Sequence, residues 1–464
     1  MKYVSTRGRA PVLGFGDVLL AGLATDGGLY VPEAWPELGV EDLATWAERP
    51  YQDIAVDVMA PFVEGDIERD ELAELVDRAY SSFDHPEVTP LRDLGDGIWL
   101  LELFHGPTLA FKDVALQLVG PLFERELERR GDKVTIIGAT SGDTGSAAIE
   151  STKGRDGIEI VMLHPHGRVS EIQRLQMTTV DAPNVHNLAV EGTFDDCQDL
   201  VKAMFADPEL RADLRLSAVN SMNWARLMAQ VVYYVHAASR LVGAGAPAYA
   251  ASVPSGNFGN IFSGWVARRM GTPIAQLICA SNRNDILTRF FATGVLELGD
   301  VVPTISPSMD IQVSSNLERL LFELYGRDAE ATTELLARFR EDGRAELAGS
   351  RLEEVSELFA AGAVDDDRTK AVIAEWQQRA GVVVDPHTAV GLAVGEDQRR
   401  DPALPLACLS TAHPAKFGQA VAAATGEPVE LPPRLAGLAG LPERCEVVPN
   451  DLDAVKARVR ALTT

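Results

Sequence analysis

The stretch HGPTLAFKD, residues 105–113, sets one lysine, Lys112, behind a loop of small, turn-forming and apolar residues. The run before it, GIWLLELF, is almost unbroken in apolar and aromatic residues and predicts a buried strand. The run after it, VALQLVGPLFERELERR, has helical periodicity. Lys112 therefore belongs near a helix start, where the positive end of the helix dipole opposes an ammonium group. That is an odd place for a purely structural cation, and it makes an amine of lowered pKa, a nucleophile or base, worth testing.

Four other stretches offer groups that such an amine could work with. In VPSGNFGNIFSG, the residues Gly256, Asn257, Phe258, Gly259 and Asn260 follow an apolar strand and open a helix, so successive amides can point at one anion. The same turn also reads as a glycine-rich strand-to-helix turn kept for its backbone angles. It is neither the spaced GxGxxG of dinucleotide folds nor a P-loop, which argues against a nucleotide. In GATSGDTGSAA, Ser141, Asp143 and Thr144 could hold a carboxylate or a ring hydroxyl, or could simply cap a helix. In VNSMNWARLMAQ, a helix starting near Ser221 would put Asn223 and Arg226 on one face, Arg226 being a natural fork for phosphate unless it is a surface arginine. In CLSTAHPAKFGQ, Thr411 ends an apolar strand and is followed by His413 and Lys416. Its hydroxyl could face a buried ring nitrogen or cap a helix, and His413 before a proline reads as a packed turn residue. An amine, a phosphate cup on another turn and a hydroxyl for a ring nitrogen together describe pyridoxal 5'-phosphate held through Lys112.

The elements that must position these turns follow from the alternation of the chain. From about residue 96, strand, glycine-rich loop and helix repeat: KVTIIGATSGDTGSAAIEST, GIEIVMLHPHG, NVHNLAVEGTFDDCQDLVKAMF, PAYAASVPSGNFGNIFSGWVARRM and PIAQLICAS. This implies two parallel sheets covered by helices, an α/β fold whose ligands sit where strands lead into helices. The division expected is an N-terminal extension over 1–95, a small α/β domain over 96–245 that holds the lysine segment, and a large one over 246–464. Residues 327–380, charged and helical throughout, read as a solvated insertion. GAGAPA at 243–248 suits a crossing between domains.

Composition limits the partners. The chain has 464 residues, 46% hydrophobic and 24% charged, enough for two or three domains. A net charge of -26 opposes nucleic acid and anionic membranes, leaving room for a local basic pocket that holds a small anion. Cys197, Cys279, Cys408 and Cys445 show no CxxC spacing, so no zinc site or disulfide framework is expected and a reducing cytoplasm fits. The first residues lack the apolar core of a signal peptide, and no apolar run approaches the ~18 residues of a membrane span.

HGPTLAFKD, SGDTGSAA, SGNFGN and TAHPAKF, with YVSTRG and GLATDGGLYVPE near the start, resemble the threonine synthase family in its longer bacterial and fungal branch. The resemblance runs over essentially the whole chain and implies the fold of the fold-type II pyridoxal-phosphate enzymes, the tryptophan-synthase-β-like group. It implies that Lys112 carries the cofactor, that Gly256 to Asn260 bind its phosphate and that Thr411 faces its ring nitrogen. Ser141, Asp143 and Thr144 would then lie beside the ring and the substrate carboxylate, and Ser221, Asn223 and Arg226 near the substrate phosphate. The activity implied is conversion of O-phospho-L-homoserine and water to L-threonine and phosphate by a cytoplasmic monomer or homodimer. A related lyase, either a serine or threonine dehydratase or an amino-phospholyase, is the nearer alternative; a catalytically silent binding protein is the more distant one, and it would lack the lysine.

Overall fold

The computed structural model describes residues 1–463, the side chains of residues 40–42 excepted. Its strands, in chain order, are β1 (Tyr3–Ser5), β2 (Tyr30–Pro32), β3 (Leu91–Gly95), β4 (Ile98–Glu102), β5 (Val134–Ala139), β6 (Ile158–Pro165), β7 (Val185–Glu191), β8 (Leu216–Ser217), β9 (Tyr249–Pro254), β10 (Ile274–Ser281), β11 (Val295–Glu297), β12 (Arg344–Glu346), β13 (Phe359–Ala363), β14 (Leu406–Ser410) and β15 (Glu446–Pro449). Two sheets organise the molecule. The larger has the order β13-β10-β9-β14-β4-β3, and the smaller β15-β7-β6-β5-β8. Every pairing in them is parallel except that of β3 with β4, which closes one edge.

The sequences of the central strands explain this arrangement. Every residue of β9 and β14 is buried, as a strand covered by helices on both faces requires. The helix Trp224–Gly243 carries the chain from the small sheet to the large one and packs against the helices Tyr51–Val63, Lys112–Arg130 and Gly259–Arg269. Trp224 at its start lies within 6 Å of the rings of Tyr3, Trp35 and Phe62, so the N-terminal segment is pinned to the core by aromatic contact. Each such pair adds roughly 0.5–1.5 kcal/mol beyond its buried area.

Two expectations about organisation need correction. The contiguous blocks 96–245 and 246–464 do not coincide with the sheets, because β3 and β4 pair into the large sheet and β15, close to the C-terminus, pairs with β7 in the small one. The stretch 327–380 is also not helical throughout. Between the helices Gly349–Leu358 and Asp366–Ala380, β13 adds a parallel edge to β10. Its sequence, FAAGA, carries little strand propensity, and pairing with an existing sheet edge overrides local preference.

Candidate active site

Lys112 is the first residue of the helix Lys112–Arg130. The loop before it is held by the chain that follows β14: the Phe111 N–H donates to the Thr411 carbonyl at 2.8 Å and the His413 N–H to the Leu109 carbonyl at 3.0 Å. Asp113, next to the lysine, fastens the same loop by accepting from the N–H and the hydroxyl of Thr108, at 2.8 and 2.7 Å. Complete burial pushes its carboxyl up to about 6 despite those donors.

The Lys112 amine is buried and lies 3.3 Å from Asp143 Oδ2. Desolvation lowers its pKa; Asp143 works against that, while Lys416 and Arg226 add to it. Asp143 opens the helix Asp143–Thr152. Its other oxygen meets Lys416 Nζ at 2.9 Å and Gln173 Nε2 at 2.8 Å. Burial alone would raise this carboxyl, yet Lys416 and Lys112 hold it well below the usual carboxylate range. Asp143 is therefore not a helix cap: it sits between two ammonium groups. Ser141, exposed, and Thr144, half-buried, flank it, and neither hydroxyl bonds within the described protein.

The turn Gly256 to Asn260 lies between β9 and the helix Gly259–Arg269. Phe258 takes a left-handed backbone, φ 60°, uncommon for an aromatic residue, while its ring packs against Phe291 and Phe359. A Cβ on Gly256 would stand 2.7 Å from the Ser308 carbonyl, so glycine is required there. The carbonyls of the turn point away from the cup: Ser314 Oγ donates to that of Gly256, and Asn316 Nδ2 and N–H to that of Asn257. The N–H groups of Gly256, Asn257 and Gly259 make no hydrogen bond among the described residues. Asn260 accepts from the hydroxyls of Tyr233 and Tyr234 through Oδ1, and its Nδ2 is buried without an acceptor. Unpaired donors gathered at a helix N-terminus are what a phosphate needs.

Asn316 also donates to the Ser221 carbonyl at 3.2 Å, and the buried Arg319 fastens Asn316, Met222 and Tyr30. The two residues thus tie the cup to the loop before Trp224. Neither leaves a local signal in the sequence, because each acts on partners distant in the chain.

Arg226 is buried and belongs to that loop's helix. One nitrogen donates to the Val219 carbonyl at 3.1 Å and Nε has no partner; burial lowers the guanidinium to about 10. No carboxylate pairs with it among the described residues, and it is near enough to lower the Lys112 pKa. Asn223 is a correction. The helix begins at Trp224 rather than near Ser221, which makes Asn223 the cap. Its Oδ1 accepts from the Ala225 N–H and its Nδ2 donates to the Leu19 carbonyl, so this fully buried side chain is spent on structure. Ser221 is half-buried, its hydroxyl unbonded within the described protein.

Thr411 follows β14 and is buried. Its N–H donates to Thr388 Oγ1 at 3.3 Å, and the Thr388 hydroxyl binds the buried Asp385, leaving Thr411's own hydroxyl without a partner among the described residues. Asp385 also accepts from His387 Nδ1 at 2.8 Å, while His387 Nε2 accepts from the Ser308 N–H beside Gly256. His413 caps the turn Pro414–Phe417, as its place before a proline suggested.

The turns after β5 and β14 meet at one buried amine, and the turn after β9 offers a cup of unpaired amides, the parts of an enzyme that carries pyridoxal phosphate on a lysine. The family model described as pyridoxal-phosphate dependent enzyme matches residues 83–341. Models of the threonine synthase N terminus and C-terminal region match residues 2–80 and 388–459. Threonine synthase of Pseudomonas aeruginosa is 52% identical, over 99% of this chain and 98% of its own. A PLP-bound threonine synthase from Brucella melitensis, 48% identical, superimposes with a TM-score of 0.96 over 100% of this chain and 99% of that one. Threonine synthase from yeast, 39% identical, does so with a TM-score of 0.94 over 99% and 98%. The chain belongs to the threonine synthase family. It is a lyase whose cofactor is pyridoxal 5'-phosphate, and the unpaired amides of the cup, the Thr411 hydroxyl and the buried Lys112 fit that group. Among the described residues no cluster could hold a metal, and no helix is long and apolar enough to cross a membrane.

Proposed function

We propose that this chain converts O-phospho-L-homoserine and water to L-threonine and inorganic phosphate. The observation that carries the substrate is Arg226, a buried guanidinium without a carboxylate partner among the described residues, whose charge reaches the Lys112 amine. A dianionic phosphate supplies the countercharge this cation lacks, whereas serine or threonine, the substrates of the dehydratase alternative, would leave it uncompensated.

The cofactor, when bound, supplies an electron sink for the pair left by proton removal at the substrate's Cα. Lys112 would hold it and, as a free amine, would be the base that removes that proton; burial lowers its pKa and so favours the uncharged, basic form. Gly256 to Asn260 would hold the cofactor phosphate on unpaired amides, and the Thr411 hydroxyl would be a neutral partner for the ring nitrogen. Ser141 and Thr144 bind the substrate carboxylate. Arg226, with Ser221 at the rim, binds the substrate phosphate and stabilises it as it leaves from Cγ, where negative charge accumulates. Loss of a second proton, at Cβ, opens the path for phosphate to depart; reprotonation at Cγ, addition of water at Cβ and return of a proton to Cα complete the exchange. Lys112 is the economical base for that second step as well.

One chain supplies every residue named, so a monomer or homodimer suffices, and four free cysteines fit a cytoplasmic setting. Incubation with O-phospho-L-homoserine, following phosphate and threonine together, tests the reading. Phosphate without threonine would point to a phospholyase, and ammonia from threonine to a dehydratase.

A further inference from the structure

Asp143 is a single buried carboxylate with an ammonium group on each oxygen, Lys112 at 3.3 Å from Oδ2 and Lys416 at 2.9 Å from Oδ1. The two lysines differ in what else they can do. Lys416 is almost wholly buried, and its amine also donates to the Thr108 carbonyl at 2.7 Å, a position with no freedom to reach a substrate. Lys112 must change its charge to act, because an ammonium group cannot condense with an aldehyde. It first releases a proton to solvent; the neutral amine then forms the carbon–nitrogen bond and one water leaves. At the moment of deprotonation Asp143 Oδ2 loses its ionic partner inside a desolvated pocket.

We propose that Lys416 is the standing counter-ion of Asp143, a positioning residue that keeps this carboxylate compensated and seated while Lys112 sheds and regains its charge. This rests on Lys112 being the cofactor-carrying amine. Without Lys416, Asp143 would retain Lys112 as its only cation, and the pair would resist giving up the Lys112 proton, since an unpaired buried carboxylate is costly. Gln173 supplies one neutral hydrogen bond to Oδ1 and cannot replace a charge. The ion pair also spans the molecule, joining the turn after β5 in the small sheet to the turn after β14 in the large one, and the Gln176 amide reinforces it by donating to the same Thr108 carbonyl at 2.9 Å.

The test is titration of the apoenzyme with pyridoxal phosphate, read by absorbance, across a range of pH. Lys416→Met should weaken cofactor affinity more than about tenfold at neutral pH. The deficit should shrink in alkaline buffer, where Lys112 loses its proton more readily. Adding Asp143→Asn to that variant should restore affinity to within about threefold of wild type, because no charge is left to compensate. A lysine that merely packs would give a deficit independent of pH and not relieved by Asp143→Asn; that result, or an affinity within about twofold of wild type in Lys416→Met, overturns the proposal. If Lys416→Met does not fold, Lys416→Gln, which keeps a donor for Thr108, is judged by the same criteria. Borohydride reduction of the wild-type holoenzyme with peptide mapping separates the two readings. An adduct on Lys112 leaves the cofactor assignment standing whatever Lys416→Met does.

Discussion

Replacing Arg226 with methionine should make the ligand-free protein no less stable while disabling it. Burial lowers the guanidinium to about 10, more than two tenfold steps below an ordinary arginine. At about 1.36 kcal/mol for each tenfold in proton affinity, the folded protein carries about 3 kcal/mol against the charged form. Methionine keeps most of the aliphatic packing and removes that penalty, at the loss of one hydrogen bond to the Val219 carbonyl, about 1 kcal/mol. The balance is about 2 kcal/mol in favour of the variant in buffer free of phosphate. With substrate the sign reverses. A guanidinium fork on phosphate makes charge-assisted hydrogen bonds of about 1.5–3 kcal/mol each. Their loss should lower kcat/KM for O-phospho-L-homoserine by about a hundredfold or more. The assays are thermal unfolding of the cofactor-free protein with and without inorganic phosphate, and phosphate release under turnover. Phosphate should raise the melting temperature of the wild type by more than that of the variant, which keeps only the cup at Gly256 to Asn260 as an anion site. A variant that melts several degrees lower without ligand, or keeps kcat/KM within about threefold, would refute the view of Arg226 as an uncompensated cation waiting for an anion.

Lys112→Ala should lose the cofactor's absorbance band and nearly all turnover, as checked by the spectrum of the purified protein beside a phosphate-release assay; colour surviving in this variant would contradict the assignment. Gly256→Ala should weaken pyridoxal phosphate binding by at least about tenfold in the same spectral titration, because the added Cβ meets the Ser308 carbonyl at 2.7 Å and opens the cup. Asp113 has a folded pKa of about 6 against an ordinary 3.8, so the folded state holds its proton more tightly and stability from this group falls as pH rises from about 4 through 6. Asp113→Asn should remove that slope, and urea midpoints for the two proteins across this range should converge at low pH and separate above it.

The lysine, the cup and the strand-to-helix alternation were legible in the sequence because each is local. An apolar run, a cluster of glycines and a helical period all act within a dozen residues, and the glycine-rich turn Gly256 to Asn260 is visible in its own five residues. Arg226 was legible as a residue type, but its burial was not. Asn223 was misplaced because a helix start is set by which side chain finds the first free N–H, and here that is decided by Asn223 bonding across to Leu19, far away in the chain. Lys416, Gln173, Asn316 and Arg319 had no local signal, since each acts on a partner that is distant in sequence.

The order of elements and the types of side chain at their junctions were thus determined by the amino-acid sequence alone, through periodicity and turn chemistry. Which strands share a sheet, and which charges share a pocket, was decided only by the tertiary structure: β15 joins a sheet begun more than two hundred residues earlier, and Asp143 meets Lys416 from the other sheet. The physical reason is that desolvation and ion pairing depend on distance in space, and a buried carboxylate takes its charge state from whichever cations the fold brings against it.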